Sequence, residues 1–289
     1  MSHHTLQKLV VRMHFDEAFV AAVHAAPEQA LANLDLTDAE RQQLLRIDRR
    51  AWRYDALRRK RTLRTLVEEF KISTTIVLAE TRSLASLEQF FSSGFFHGAV
   101  QERGSLGLSF AEFLLDGCKR EVWCAPQLSD LIRLENALVT CRRTLARDGQ
   151  HEVGELPDSI SDTARVQLAP GFGVGSYQAN IIATIQQVEQ YLFEVNLMPA
   201  MALCDDAPRL PELLAIEPKK KTYLLFSPGA TGISLTDIDK SSYLVLYEAR
   251  RTVEIKSLLA RAQTSGIPPR RAYEVLSEWL EAGGLMIVG

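Results

Sequence analysis

Few of the features that announce chemistry are present in this chain. Its 289 residues hold four cysteines, Cys118, Cys124, Cys141 and Cys204, and no CxxC pair. Scattered single cysteines argue for the reduced thiols of a cytoplasmic protein rather than a disulfide framework. They also lack the close ligand spacing, about two to four residues, that marks zinc sites. The six histidines form no HExxH or comparable arrangement. No Ser/His/Asp or Cys/His pair emerges from spacing, and no paired carboxylates stand out; Asp205 and Asp206 fall in a proline-rich connector and read as exposed. No apolar run approaches the roughly 18 residues of a membrane span. The opening MSHHTLQKLVVRMHFDE has neither the apolar core nor the small-residue cleavage site of a secretory signal. A net charge of −3 gives no global field that would favour nucleic acid or an anionic membrane. These absences argue for a binding or accessory role, with no cofactor in this chain.

What remains is an ordinary globular composition, 46% hydrophobic and 24% charged, long enough for two or three units. The first 118 residues read as helical. Asp16 can cap a short helix that places Phe15, Phe19 and Val23 on one face, and Thr37 with Glu40 forms a T-x-x-E capping box. The helix it opens is expected to run to about Phe70. On its wheel Arg46, Arg49, Arg50, Arg53, Lys60, Arg61 and Arg64 fall within about 60° of one line, with Ile47, Trp52, Leu63 and Leu66 elsewhere. Such a stripe suits a solvated face, an acidic protein partner or a run of phosphates.

A second unit begins near Glu121 with the helical pattern PQLSDLIRLENALVTCRRTL, followed by the polar loop DGQHEVGELPDSISD. ARVQLAPGFGVGS reads as strand and turn, and NIIATIQQVEQYLF is ambiguous between helix and strand. The run from Pro170 to Gly175 looks like a phosphate loop but fails in detail. The third glycine of GxGxxG would stand where Ser176 stands, and no βαβ repeat surrounds it, so it reads as a glycine-rich turn.

The C-terminal stretch is the most regular. TYLLF, a turn SPGATG and ISLTDI form a hairpin in which Ile233 and Leu235 alternate with Ser234 and Thr236. Three helices are expected from about Lys240, Thr252 and Pro268, with Asp239 and Thr252 as caps. The last carries Ala272, Val275, Leu276, Trp279 and Leu280 at helical spacing and ends at Gly283 and Gly284. The expected fold class is α+β: an all-helical domain over 1–118, a mixed helix and strand connecting region over 119–204, and a winged-helix-like module of hairpin plus three helices over 205–289. Arg270 and Arg271, at the start of the third helix, suit DNA, an anionic peptide or a plain polar helix start.

The hairpin YLLFSPGATGISL, followed by SYLVLYEA, TVEIKSLLARA and RRAYEVLSEWLEAGGLMIV, resembles the PqqD-like recognition element of peptide-modifying systems. The resemblance implies that a leader peptide adds as a strand along Gly232, Ile233, Ser234, Leu235 and Thr236, with its side chains against the third helix at Arg270, Arg271 and Glu274. FDEAF and DRRAWRYDALRRKR, with the later AVQERGSLGLSFAEFLLD and PQLSDLIRLENAL, resemble accessory subunits that partner multinuclear-iron, TIM-barrel oxidases in methanobactin and 3-thiaglutamate synthesis. This implies a non-catalytic, cytoplasmic subunit of a heterodimer with iron in the partner. Its basic stripe, Arg46, Arg50, Arg53, Arg61 and Arg64, would face that partner. The chain would present the cysteine of a precursor or carrier peptide, with excision of the cysteine β-carbon favoured over oxazolone and thioamide formation. No membrane is expected among its partners. The competing expectation is a winged-helix transcriptional regulator binding nucleic acid. The hairpin counts against it, because it precedes the three helices, whereas most winged helices place the β-ribbon after the recognition helix.

Overall fold

The computed structural model describes residues 3–52, 56–149, 161–204, 206–215, 220–230 and 232–288. Contacts divide the chain into two compact units, residues 1–125 with 190–210 and residues 126–189 with 211–289. The fold mixes helix with two small three-stranded antiparallel sheets. Among the described residues, no helix is long and apolar enough to cross a membrane.

In the first unit lie α1 (His3–Phe15), α2 (Glu17–Ala25), α3 (Pro27–Ala30), α4 (Asp38–Arg46), α5 (Ala56–Glu69), α6 (Lys71–Thr81), α7 (Ala85–Glu88), α8 (Gly94–Gln101) and α9 (Leu106–Lys119). Local chemistry starts several of them. Asp16 accepts from the Phe19 amide at 2.9 Å, and Thr37 and Glu40 complete both halves of the capping box. The single helix expected from Thr37 to about Phe70 does not form. α4 stops at Arg46, Ile47 turns extended, and a 3-10 turn spans Arg49–Trp52 before α5 begins. Packing explains the break: Trp52 is buried in a cluster with Met13, Val23, Leu31 and Leu44, and a buried indole outweighs weak helical propensity.

A second cluster centres on phenyl rings. Phe70, Phe90, Phe91, Phe96 and Phe110 are all buried, and Phe90 meets Phe96 and Phe110 edge-on at 5.5 and 5.1 Å. α6 is buried on nearly every side, although it carries Ser73, Thr74 and Thr75. Thr74 Oγ1 donates to the Phe70 carbonyl at 2.7 Å and Thr75 Oγ1 to that of Lys71 at 2.6 Å, which satisfies two hydroxyls that burial would otherwise penalise.

The second unit holds α10 (Leu128–Asp148), β1 (Arg165–Leu168), β2 (Gly173–Gln178) and α11 (Ile181–Glu194), whose residues from 190 belong to the first unit. It continues with β3 (Lys221–Gly229), β4 (Gly232–Asp237), α12 (Lys240–Glu248), β5 (Val253–Glu254), α13 (Ile255–Thr264), α14 (Pro269–Glu281) and β6 (Leu285–Val288). The segment that the pattern leaves ambiguous is the helix α11, which buries Ile181, Val188, Tyr191 and Leu192.

One sheet has the order β5-β1-β6 and the other β2-β3-β4, so each takes a strand from well before the hairpin. β1 stands between β5 and β6, with Val166 opposite Val253 on one side and Ile287 on the other. Thr252 is not the expected cap. Pairing with β1 draws Val253 and Glu254 into a strand, α13 begins at Ile255, and Thr252 Oγ1 donates instead to Gln167 Oε1 at 2.7 Å. Asp239 does cap, accepting from the amides of Ser241 and Ser242 at 2.7 and 3.1 Å. The stripe on α14 is buried as expected. Ala272, Val275, Leu276 and Leu280 join Val245, Leu258, Leu225 and Val174 in one core.

Candidate functional site

β4 is an edge strand. It pairs with β3 alone, and five of its six residues are exposed, with Ile233 half-buried. Which of its backbone groups face outward follows from the hairpin. Gly229 opposite Gly232 closes a two-residue loop, and an antiparallel ladder alternates hydrogen-bonded with non-hydrogen-bonded pairs from there. The pairs Ser227–Ser234 and Leu225–Thr236 are therefore bonded, and Pro228–Ile233, Phe226–Leu235 and Leu224–Asp237 are not. Two observations agree with this assignment. The Ile238 amide donates to the Tyr223 carbonyl at 2.9 Å, the next bonded pair in the series. Pro228, which has no N–H, occupies a position that gives none to β4. Ser234 and Thr236 thus turn their N–H and C=O inward, while Ile233, Leu235 and Asp237 turn theirs to the open edge.

The side chains divide in the same way. Ile233, Leu235 and Asp237 share a sheet face with Leu224 and Phe226 of β3, their cross-strand partners or neighbours, both of which are buried. Leu235 is 37% exposed and extends that apolar face beyond the covered part of the sheet. Ser234 and Thr236 lie on the opposite face with Leu225, which belongs to the core shared with α12, α13 and α14.

The glycine-rich run has a packing role. Gly171 adopts a φ of +82° in the turn between β1 and β2, a conformation that favours glycine. A Cβ on Gly173 would lie 2.7 Å from Cys141 Sγ, so this glycine lets α10 approach the Phe226 face of the sheet. Burial in that contact pushes the Cys141 thiol up to about 11, far from a reactive thiolate. None of the four cysteines is in a disulfide. Among the described residues, no three His, Cys, Asp or Glu side chains converge as a metal site.

Of the residues expected on the third helix, Arg270 pairs with Glu274 at 3.0 Å. Arg271 faces three carboxylates, Glu278 at 3.3 Å, Asp239 at 3.5 Å and Glu274 at 3.7 Å. The Asp239 contact ties the start of α14 to the N-terminus of α12, two residues past β4, while the core that α14 joins lies under Leu225, on the sheet face opposite Ile233 and Leu235. Burial alone would raise the Asp239 carboxyl, but bonds from Ser242 and Ser241 and the Arg271 charge outweigh it and hold the group below its ordinary value.

The basic stripe is not brought together as a wheel would have it. Arg46 ends α4, while Arg61 and Arg64 sit exposed on α5 across the intervening turn, and Arg64 pairs with Glu68 at 2.8 Å. Arg53 and the side chain of Arg50 lie outside the described residues, as does Asp205.

An aromatic row escaped the sequence reading. Tyr223 of β3 meets Tyr243 of α12 at 4.8 Å between centroids, Tyr243 meets Tyr247 at 5.5 Å, and the Arg250 guanidinium lies 3.5 Å over the Tyr247 ring. The i, i+4 spacing of Tyr243 and Tyr247 is the one signal that could have revealed it. No family model matches this chain, and no curated protein matches it either.

Proposed function

We propose that the chain is a non-catalytic accessory subunit that binds the leader of a precursor or carrier peptide by strand addition at β4. It would present the peptide's cysteine to a multinuclear-iron oxidase that holds the metal. The observation that carries this reading is the open edge of β4, with the N–H and C=O groups of Ile233, Leu235 and Asp237 outward and Leu235 exposed between them. An added strand gains roughly 0.5–1.5 kcal/mol per hydrogen bond. Association costs on the order of 4–15 kcal/mol, so backbone bonds alone do not hold the leader. Leader side chains must also bury apolar area, and the half-exposed face of Ile233 and Leu235 is the nearest surface for it.

The charges on α14 weigh against a nucleic-acid-binding regulator. Arg270 and Arg271 are matched by Glu274, Glu278 and Asp239, so the helix start offers phosphates no surplus of positive charge. Excision of the cysteine β-carbon remains the favoured chemistry of the partner, on the resemblance in sequence alone.

The test is a polarisation titration of a fluorescent leader peptide, taken from a cysteine-containing peptide encoded beside this chain. The parent should bind saturably, and Leu235→Pro, which removes an outward N–H, should bind at least about tenfold more weakly while circular dichroism stays unchanged. Equal binding by a folded Leu235→Pro protein would place the leader elsewhere. Tight binding to duplex DNA that weakens steeply with salt would favour the regulator.

A further inference from the structure

The first unit contains a groove of about 540 Å³ that the peptide site does not use. Its floor is apolar, built from Leu63 and Val67 of α5, Leu78 of α6 and Leu84. Its lip carries Leu197 and Met198, which are 54% and 47% exposed. Large apolar side chains left this open beside an apolar channel mark an interaction surface. The backbone is bent to put them there: Asn196 and Leu197 have φ of +59° and +61°, a left-handed pair that bulky residues rarely adopt. The wall behind them is anchored, because the 3-10 turn Pro199–Leu203 packs on α6 and the Arg82 guanidinium holds the carbonyls of Ala202 and Cys204.

The rim carries Lys60, Arg64 and Lys71 against Glu68 and Glu88. Glu68 already neutralises Arg64, and Arg61 adds a further exposed cation on α5. An apolar floor whose rim of three cations and two carboxylates, with Arg61 beside it, carries a small excess of positive charge is complementary to a helix that has an apolar face and acidic flanks. Two or three of its apolar side chains would fill the channel while its carboxylates meet Lys60 and Lys71.

We propose that this groove is the docking site for an acidic, amphipathic helix of the oxidase subunit, a statement that rests on the function proposed above. It gives the basic residues of α5 an apolar centre, without which exposed charge pairs contribute little to a stable complex.

The experiment measures the affinity of the full-length chain for the purified oxidase subunit by calorimetry, with leader binding as a parallel readout. The variants are Leu197→Asp with Met198→Asp, both at exposed positions, and Lys60→Glu with Lys71→Glu. The first pair should weaken the complex at least about tenfold and leave leader affinity unchanged. The second should weaken it several-fold at low salt and flatten its salt dependence. A complex that keeps parental affinity in both double variants overturns the groove as the docking site and leaves the accessory role standing. A parent that binds leader but no oxidase overturns both. If the variants instead abolish self-association of the parent, the occupant is a second copy. If cis-parinaric acid binds the parent stoichiometrically and is lost in the variants, it is a free lipid. Either result overturns the proposal.

Discussion

The two outer strands of the β2-β3-β4 sheet are treated in opposite ways. β2 is half-buried along its length, α10 and α12 pack against it, and the outward amide of Gln178 is taken by the Asp130 carboxylate at 2.9 Å. β4 has the same number of residues and is exposed, with no strand or carboxylate on its outer side among the described residues. An exposed edge invites unwanted pairing, and proteins usually cover, shorten or charge such strands. The cover over β2 and its absence over β4 leave one side of this sheet open to an added strand, as the proposed peptide binding requires. The second sheet supports the contrast, since its outer strands β5 and β6 are only two and four residues long.

This contrast can be broken most forcefully inside β4. Ser234→Pro removes an N–H that points to β3, so the hairpin should lose about 2–3 kcal/mol of stability in urea unfolding. An unchanged midpoint would mean that the inward and outward assignments are reversed. On the protected edge, Asp130→Ala strips Gln178 of its charged acceptor and Arg133 of its partner at 3.1 Å. A loss of about 1.5–2 kcal/mol is expected. Loss of less than half a kilocalorie would show that the carboxylate is ornamental and that β2 is guarded by its helices alone.

Leu235→Pro should behave unlike either, because edge strands tolerate proline where the N–H faces outward. Stability should fall by less than about 1 kcal/mol, while leader affinity drops about tenfold, equivalent to about 1.4 kcal/mol. The smallest effect belongs to Asp239. Its folded-state value lies below the ordinary 3.8. Its contribution is thus fully present above that unfolded-state value and is lost as pH falls through the lower folded one. The stability difference between parent and Asp239→Asn should be constant above about pH 5 and shrink below about pH 4. A difference that stays flat to pH 2 would show that the Ser241, Ser242 and Arg271 contacts do not favour the charged form.

Local signals were legible in the sequence and distant ones were not. Asp16, the Thr37–Glu40 box, Asp239 and the stripe on α14 act within a turn or two of their own positions, and each appears where the pattern puts it. The break between α4 and α5 follows from where Trp52 finds a pocket, and no wheel contains that information. Thr252 has a cap's chemistry, but β1 claims the residues after it for a strand. The glycines at 173 and 175 resemble a ligand loop in sequence, and for Gly173 only the position of α10 shows what the missing side chain is for. Strand parity in β4 needs the loop length of the hairpin, which the turn sequence SPGATG, with a glycine at either end of its loop, leaves open.

The placement of β1 has a consequence for biosynthesis. Its neighbours on either side, Val253 and Ile287 opposite Val166, are translated long after it. At roughly 5–20 residues per second, β1 leaves the ribosome several seconds before either partner. During that interval a strand with a buried valine has no sheet to join, and loop closure over so long a span makes pairing slow even once both ends exist. The β5-β1-β6 sheet can therefore close only after residues 285–288 have been translated, which leaves its central strand waiting for the end of the chain.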